Sequence, residues 1–168
     1  NTGFFECPEF FELPVDGDTS KKLWVLMGAN ARYQIGTFDG KTFTPDHKDK
    51  KETIVGKIFD AIYAGQCFSN TPDGRVIYIG WAGMTQRSDP DNPFHNGFTL
   101  PINFSLRTTS DGIRLFAEPI KEFDSLRNGV AFDASGKKLD AKEAFKTEKQ
   151  EFDVVLELKS PKKDGKAE

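Results

Sequence analysis

Three glutamates recur at every third position near the start of the chain, Glu6, Glu9 and Glu12, among Phe4, Phe5, Phe10 and Phe11. A carboxyl group in apolar surroundings favours its protonated form and can serve as a general acid. Taken alone, an acid in a Phe-rich strand is more often a surface-facing residue of an alternating pattern. Glu9 and Glu12 are expected to face solvent. Cys7 and Cys67 are too few for a disulfide framework, and they lack the CxxC spacing or His companions of a zinc site. Each reads as a small apolar residue, so no metal or other cofactor is expected. His95 reads as an exposed loop residue.

The elements that must position these groups read as strands. Sixteen Phe, clustered β-branched runs and frequent Gly, Asp and Asn favour short strands joined by tight turns. Residues 3–13, 23–28, 33–43, 58–68, 76–81, 98–106 and 112–118 fit single strands or strand pairs. Asp39-Gly40 and Asp111-Gly112 each sit between two such runs, a hairpin signal. Runs 23–27 and 76–79 are apolar at successive positions, which requires cover on both faces and points to stacked sheets.

The order of features repeats. An aromatic-rich strand, a polar turn, an apolar strand ending in Gly and a hairpin closed by Asp-Gly occur over residues 4–45 and again over 59–119. Four strands per unit, repeated, is how a β-propeller blade reads in sequence, and two units make an incomplete ring. A β-sandwich with a chance echo fits the periodicity equally well.

Composition excludes several partners. A net charge of -3 from 23 basic and 26 acidic residues gives no field of either sign, and the Lys-dense stretches at 48–51 and 159–166 are interrupted by acids, Pro or Gly. Nucleic acid is therefore not expected. No apolar run approaches the length that spans a bilayer, and no signal peptide is visible, so the chain reads as soluble, without a membrane partner. Its start at Asn1 reads as that of a mature or truncated product. Beyond Ile120, residues 121–127 suit one helical turn stopped by Asn128-Gly129. Residues 120–151 read as a linker with a helical piece near 141–145, and 152–158 as an amphipathic strand before a disordered Lys-rich tail.

Phe5-Glu6-Cys7-Pro8 matches the Glu-Cys-Pro motif of glycoside hydrolase family 32. Residues 63–68, Tyr-Ala-Gly-Gln-Cys-Phe, resemble that family's Phe-Tyr-Ala-(Ser/Ala)-Gln-Thr-Phe strand, with Ile62 for the aromatic and Cys67 for Thr. Asp73-Gly74-Arg75 through Gly80-Trp81 is similar to its Gly-Arg-Arg…Gly-Trp hairpin, and residues 98–101, 106–109 and 112–116 look like the last blade of bacterial levanases. The likeness is nearly continuous over residues 3–127. It implies an all-β fold: about the last two four-stranded blades of a five-bladed propeller in residues 1–119, the linker 120–151, and the first strand of a C-terminal β-sandwich in 152–168.

By the same resemblance, Glu6 matches the proton donor of a retaining β-fructosidase, and Tyr63 and Trp81 match positions that line the sugar pocket. Blade-to-blade packing is the competing role for both, evenly matched for Trp81. The nucleophilic Asp of the family's Trp-Met-Asn-Asp-Pro-Asn-Gly motif and the Asp of its Arg-Asp-Pro motif have no match here. Residues 87–93 read as a Pro- and Asp-rich turn. His95 and Asn96 replace an Asn-Gln pair, which leaves no contact to carry over. The resemblance thus implies a piece of an enzyme acting on levan, inulin or sucrose, extracellular or periplasmic, that needs the missing blades in the same or a companion polypeptide. Two alternatives are a non-catalytic carbohydrate-binding or interaction module descended from such an enzyme, and an unrelated structural β-sandwich.

Overall fold

Short apolar runs closed by Asp-Gly turns become a connected antiparallel sheet. The computed structural model describes residues 6–46, 56–59, 62–82, 96–130, 132–133 and 154–155. It divides into two units, Asn1–Lys121 and Glu122–Glu168. Among the described residues the first holds ten strands: β1 (Glu9–Val15), β2 (Asp18–Met27), β3 (Arg32–Phe38), β4 (Phe43–Pro45), β5 (Gly56–Lys57), β6 (Ile62–Phe68), β7 (Val76–Ala82), β8 (Gly97–Phe98), β9 (Ile102–Thr109) and β10 (Gly112–Pro119).

Two four-stranded antiparallel meanders emerge from the pairing, β1–β2–β3–β4 and β6–β7–β9–β10. Short β5 adds to β3, and β8 adds to β7. Asp39-Gly40 lies between β3 and β4 and Asp111-Gly112 joins β9 to β10, as their composition predicts. A third Asp-Gly, Asp16-Gly17, makes the β1–β2 turn with both residues at positive φ, 54° and 78°. The apolar runs did not predict that hairpin, because the start of β2 is polar and exposed.

The meanders join in parallel where Val15 of β1 pairs with Leu106 of β9. The Asp16 N–H donates to the Leu106 carbonyl at 2.9 Å, and the Asp16 carboxylate accepts from the Thr108 N–H and hydroxyl at 2.8 and 2.6 Å. Those Thr108 bonds hold the Asp16 carboxyl below the usual carboxylate range.

Apolar side chains from both meanders share one core, with Phe11, Leu13, Val15, Val25, Met27, Tyr33 and Ile35 from the first and Tyr78, Phe104, Leu106 and Leu115 from the second. Rings of Phe11 and Phe104 stack at 5.7 Å, and Tyr78 lies 5.1 Å from Phe104. Such pairs contribute about 0.5–1.5 kcal/mol each beyond their burial. The Leu115 N–H donates to the Tyr33 hydroxyl at 3.3 Å inside this core. On the other face of the first meander Phe10 stacks on Trp24 at 4.5 Å and meets Phe38 and Phe43 edge-on.

One expectation changes. Among the described residues the first strand begins at Glu9, after residues 6–8, since Pro8 offers no N–H for the ladder. Residues 98–106 form a strand pair, β8 and β9, with Pro101 between them. Residues 33–43 form the expected strand pair, β3 and β4, around Asp39-Gly40.

Lys121–Leu126 forms a 3-10 turn and Gly129 follows at φ 105°, matching the expected short helix and its stop. Of the strand expected at 152–158, only Val154 and Val155 are described, and both are exposed. The helical piece near 141–145, the turn at 87–93 and His95 lie outside the described residues. No helix among the described residues is long and apolar enough to cross a membrane.

Candidate active site

Pro8 and Cys7 set the approach of Glu6. Cys7 holds a left-handed backbone at φ 45°, bending the chain just before β1. The Glu6 carbonyl then accepts the Ala29 N–H at 3.0 Å, and the Ala29 carbonyl accepts the Ala64 N–H at 2.9 Å. Buried Ala29 therefore ties the Glu6 segment to β6 across a gap of 57 residues between Glu6 and Tyr63.

Strand β6 is irregular at that point. Its register against β7 shifts between Tyr63 and Gln66, and Ala64 is itself left-handed at φ 50°. The bulge re-aims Tyr63, as bulges beside functional sites do. Gly65 completes it. A Cβ at Gly65 would run into the fully buried Tyr78 ring, and one at Gly80 would strike Ile62. Both glycines are required by close approach, which is the physical content of the Tyr-Ala-Gly and Gly-Trp segments.

The outcome is that the Tyr63 hydroxyl donates to the Glu6 carboxylate Oε1. This bond, with burial and the Glu6 charge, pushes the Tyr63 phenol above its ordinary value of 10.0, so the phenol is protonated and a donor at neutral pH. Trp81 pairs with Tyr63 in register, and their rings meet edge-on at 6.4 Å. Trp81 is 43% exposed, so it is not a core residue.

Two expectations fail at this site. Glu6 is exposed rather than enclosed by phenylalanine rings, because the bend at Cys7 carries it out of the strand. Glu9 does not face solvent: it is half-buried and accepts hydrogen bonds from the Cys67 N–H and thiol. Glu12 does face solvent, ion-paired with Lys22 at 3.2 Å. Burial raises the Glu9 carboxyl above its ordinary 4.5, against the opposing Cys67 bonds. Burial also pushes the Cys67 thiol up, with Glu9 adding to it, and Tyr78 is pushed up to about 12 by burial and the neighbouring Cys67. Cys67 is accordingly a protonated packing residue, not a nucleophile. Cys7 and Cys67 are both free thiols.

Glu9 opens on a groove of about 450 Å³ between β1 and the β6–β7 turn, lined also by Phe10, Phe68, Asn70 and Arg75. Glu6, Tyr63 and Trp81 lie outside it. No group of three or more potential metal ligands occurs among the described residues.

The raised Glu9 carboxyl makes stability depend on pH. The folded chain holds that proton more tightly than the unfolded one, so the contribution is complete below 4.5 and disappears as pH rises through the folded-state value. Glu9→Gln removes the titration while keeping an acceptor for Cys67. The gap in melting temperature between wild type and E9Q should therefore shift in favour of E9Q from acid to neutral pH; parallel melting curves across that range would sink this reading.

A carboxyl oriented by a phenol beside an exposed indole, with Glu6 just before the first meander and Tyr63 and Trp81 on the second, is an arrangement that can bind a polyhydroxylated ring and pass it a proton. Residues 1–119 match the model of the glycosyl hydrolases family 32 N-terminal domain. Levanase of Bacillus subtilis (strain 168) is 31% identical over 141 residues, covering 74% of this chain and 20% of that protein. Levanase of Bacillus sp. (strain L7) is 34% identical over 147 residues, covering 76% and 15%. In solved structures, exo-inulinase from Aspergillus awamori superposes with a TM-score of 0.59 at 23% identity, over 71% of this chain and 26% of that one, a likeness of fold. The chain belongs to glycoside hydrolase family 32. It spans a fifth or less of the length of the two levanases.

Among sequence candidates, the structure brings Glu6, Tyr63 and Trp81 together. Sequence reasoning missed Ala29, Ala64 and Glu9, whose roles run through backbone bonds and a cross-strand thiol.

Proposed function

We propose that this chain is the acid/base part of an extracellular β-fructosidase that releases terminal fructose from levan, inulin or sucrose with retention. Glu6 protonates the leaving oxygen and later activates water. The attacking carboxylate comes from propeller blades outside these 168 residues, in the same or a companion polypeptide, since retention needs a second carboxyl about 5 Å away. The two meanders serve as successive blades.

The observation that carries this reading is the Tyr63–Glu6 hydrogen bond, which joins two separate family-like motifs on one carboxylate. Tyr63 positions Glu6, and Trp81 offers its exposed face to the sugar. Intact mass and gel analysis of the purified material, with fructose release from sucrose, inulin and levan, tests the proposal. Fructose release by material that contains the remaining blades supports it; an assembled polypeptide that releases none overturns it.

Tyr63→Phe keeps the ring against Trp81 and removes the donor to Glu6. Hydrogen bonds to charged groups contribute about 1.5–3 kcal/mol, so kcat should fall roughly tenfold to a hundredfold with KM little changed. A rise in KM with kcat preserved would make the Tyr63 hydroxyl a sugar-binding group instead of a positioning one.

A further inference from the structure

The register that pairs Tyr63 with Trp81 continues one strand further, because Trp81 of β7 pairs with Phe98 of β8. Directly opposed residues of antiparallel strands project to the same face. Tyr63, Trp81 and Phe98 therefore form one row of rings leading away from Glu6. Exposure rises along it, from half-buried Tyr63 through Trp81 at 43% to Phe98 at 79%. Thr99 fixes the outer end: its N–H donates to the Gly80 carbonyl at 2.9 Å, and its hydroxyl accepts the Gly80 N–H at 3.1 Å. The backbone that carries Phe98 is thus held beside Trp81 by two bonds to the strand that carries Trp81.

Two steps between neighbouring strands span about 10 Å, room for more than one sugar ring. The described residues flanking Phe98, Asn96, Gly97 and Thr99, carry no charge, which suits a neutral polyol and not an ionic ligand. A ring exposed this far, on backbone tied to the neighbouring strand and in register with a candidate active site, marks a contact surface.

We propose that Tyr63, Trp81 and Phe98 form an aromatic platform along which a linear fructose oligomer extends from Glu6, with Phe98 as an outer subsite that favours chains over short sugars. This rests on the function proposed above for the same site. Each aromatic face contributes modestly, so loss of one should weaken a long ligand severalfold and leave a short one unaffected.

The test uses the full 168-residue chain and tryptophan emission, with inulin-type oligomers of about five units and free fructose as probes. Oligomer should change the emission, and Trp81→Phe should abolish that change, leaving the unresponsive Trp24. Phe98→Ala should weaken oligomer binding about threefold to tenfold without altering fructose binding, and Phe98→Tyr should restore it. Equal affinity of wild type and F98A for the oligomer overturns the platform. So does failure of the chain to bind oligomer, or an effect of F98A confined to self-association in sedimentation. Glu6→Gln should leave oligomer binding intact. Binding without fructose release by the assembled polypeptide defeats the hydrolase reading alone, whereas hydrolysis with unchanged oligomer affinity in F98A defeats the platform alone.

Discussion

Glu6→Gln, introduced into the polypeptide that contains the remaining blades, is expected to lower kcat on sucrose and fructans by about a hundredfold to ten-thousandfold, the range set by loss of a general acid. Glutamine has nearly the same shape and can still accept the Tyr63 hydroxyl, so the fold and sugar binding should persist. What it cannot do is release a proton to the leaving oxygen. A β-fructoside with a leaving group acidic enough to depart unprotonated should therefore lose much less rate in its first, fructosyl-transfer step. Equal losses on good and poor leaving groups would assign Glu6 a structural role, and unchanged turnover would remove it from the chemistry.

Gly65→Ala should have the largest effect on stability. The added methyl would overlap the ring of Tyr78, which is 1% exposed and packed against Phe59 and Phe104. It cannot swing out without breaking the core shared by the meanders. Overpacking of this kind costs about 3 kcal/mol, equivalent to a fall of roughly 10 °C in melting temperature for a domain of this size. Because Gly65 completes the bulge that aims Tyr63, the Tyr63–Glu6 bond should be lost in the same variant. Combining Gly65→Ala with Tyr78→Leu, which vacates the space, should destabilise by less than the sum of the single changes. Strict additivity would show that the clash is not the cause.

Most strands could be read from the chain because their signals are local. Apolar runs 23–27 and 76–79 gave β2 and β7, and Asp39-Gly40 and Asp111-Gly112 marked turns where the structure has them. Asp16-Gly17 carried the same signal, but the polar start of β2 masked it. The candidate site was legible to the extent that motifs name side chains: Glu6, Tyr63 and Trp81, which the structure brings together, were each marked by type and neighbours. What escaped were relations between distant backbone groups. Nothing in the order Glu6-Cys7-Pro8 tells that Ala29 will bridge it to Ala64, and nothing in an Asn-Gly-Phe-Thr run places Phe98 opposite Trp81. Glu9 was misread for a related reason. Alternation predicts which face a residue takes, but β6 crosses that face and brings the Cys67 thiol to it.

The left-handed backbones of Cys7 and Ala64 have a consequence for how the site meets its ligand. Such conformations cost about 1–3 kcal/mol for a residue with a side chain, and here the surrounding sheet absorbs that cost during folding. On the function proposed above, the carboxyl–phenol pair is therefore assembled before any sugar arrives, and none of the ligand's binding energy is needed to order it. The same two positions are where glycine would relieve strain most directly, so a gain in thermal tolerance there would come with a looser, more entropic site.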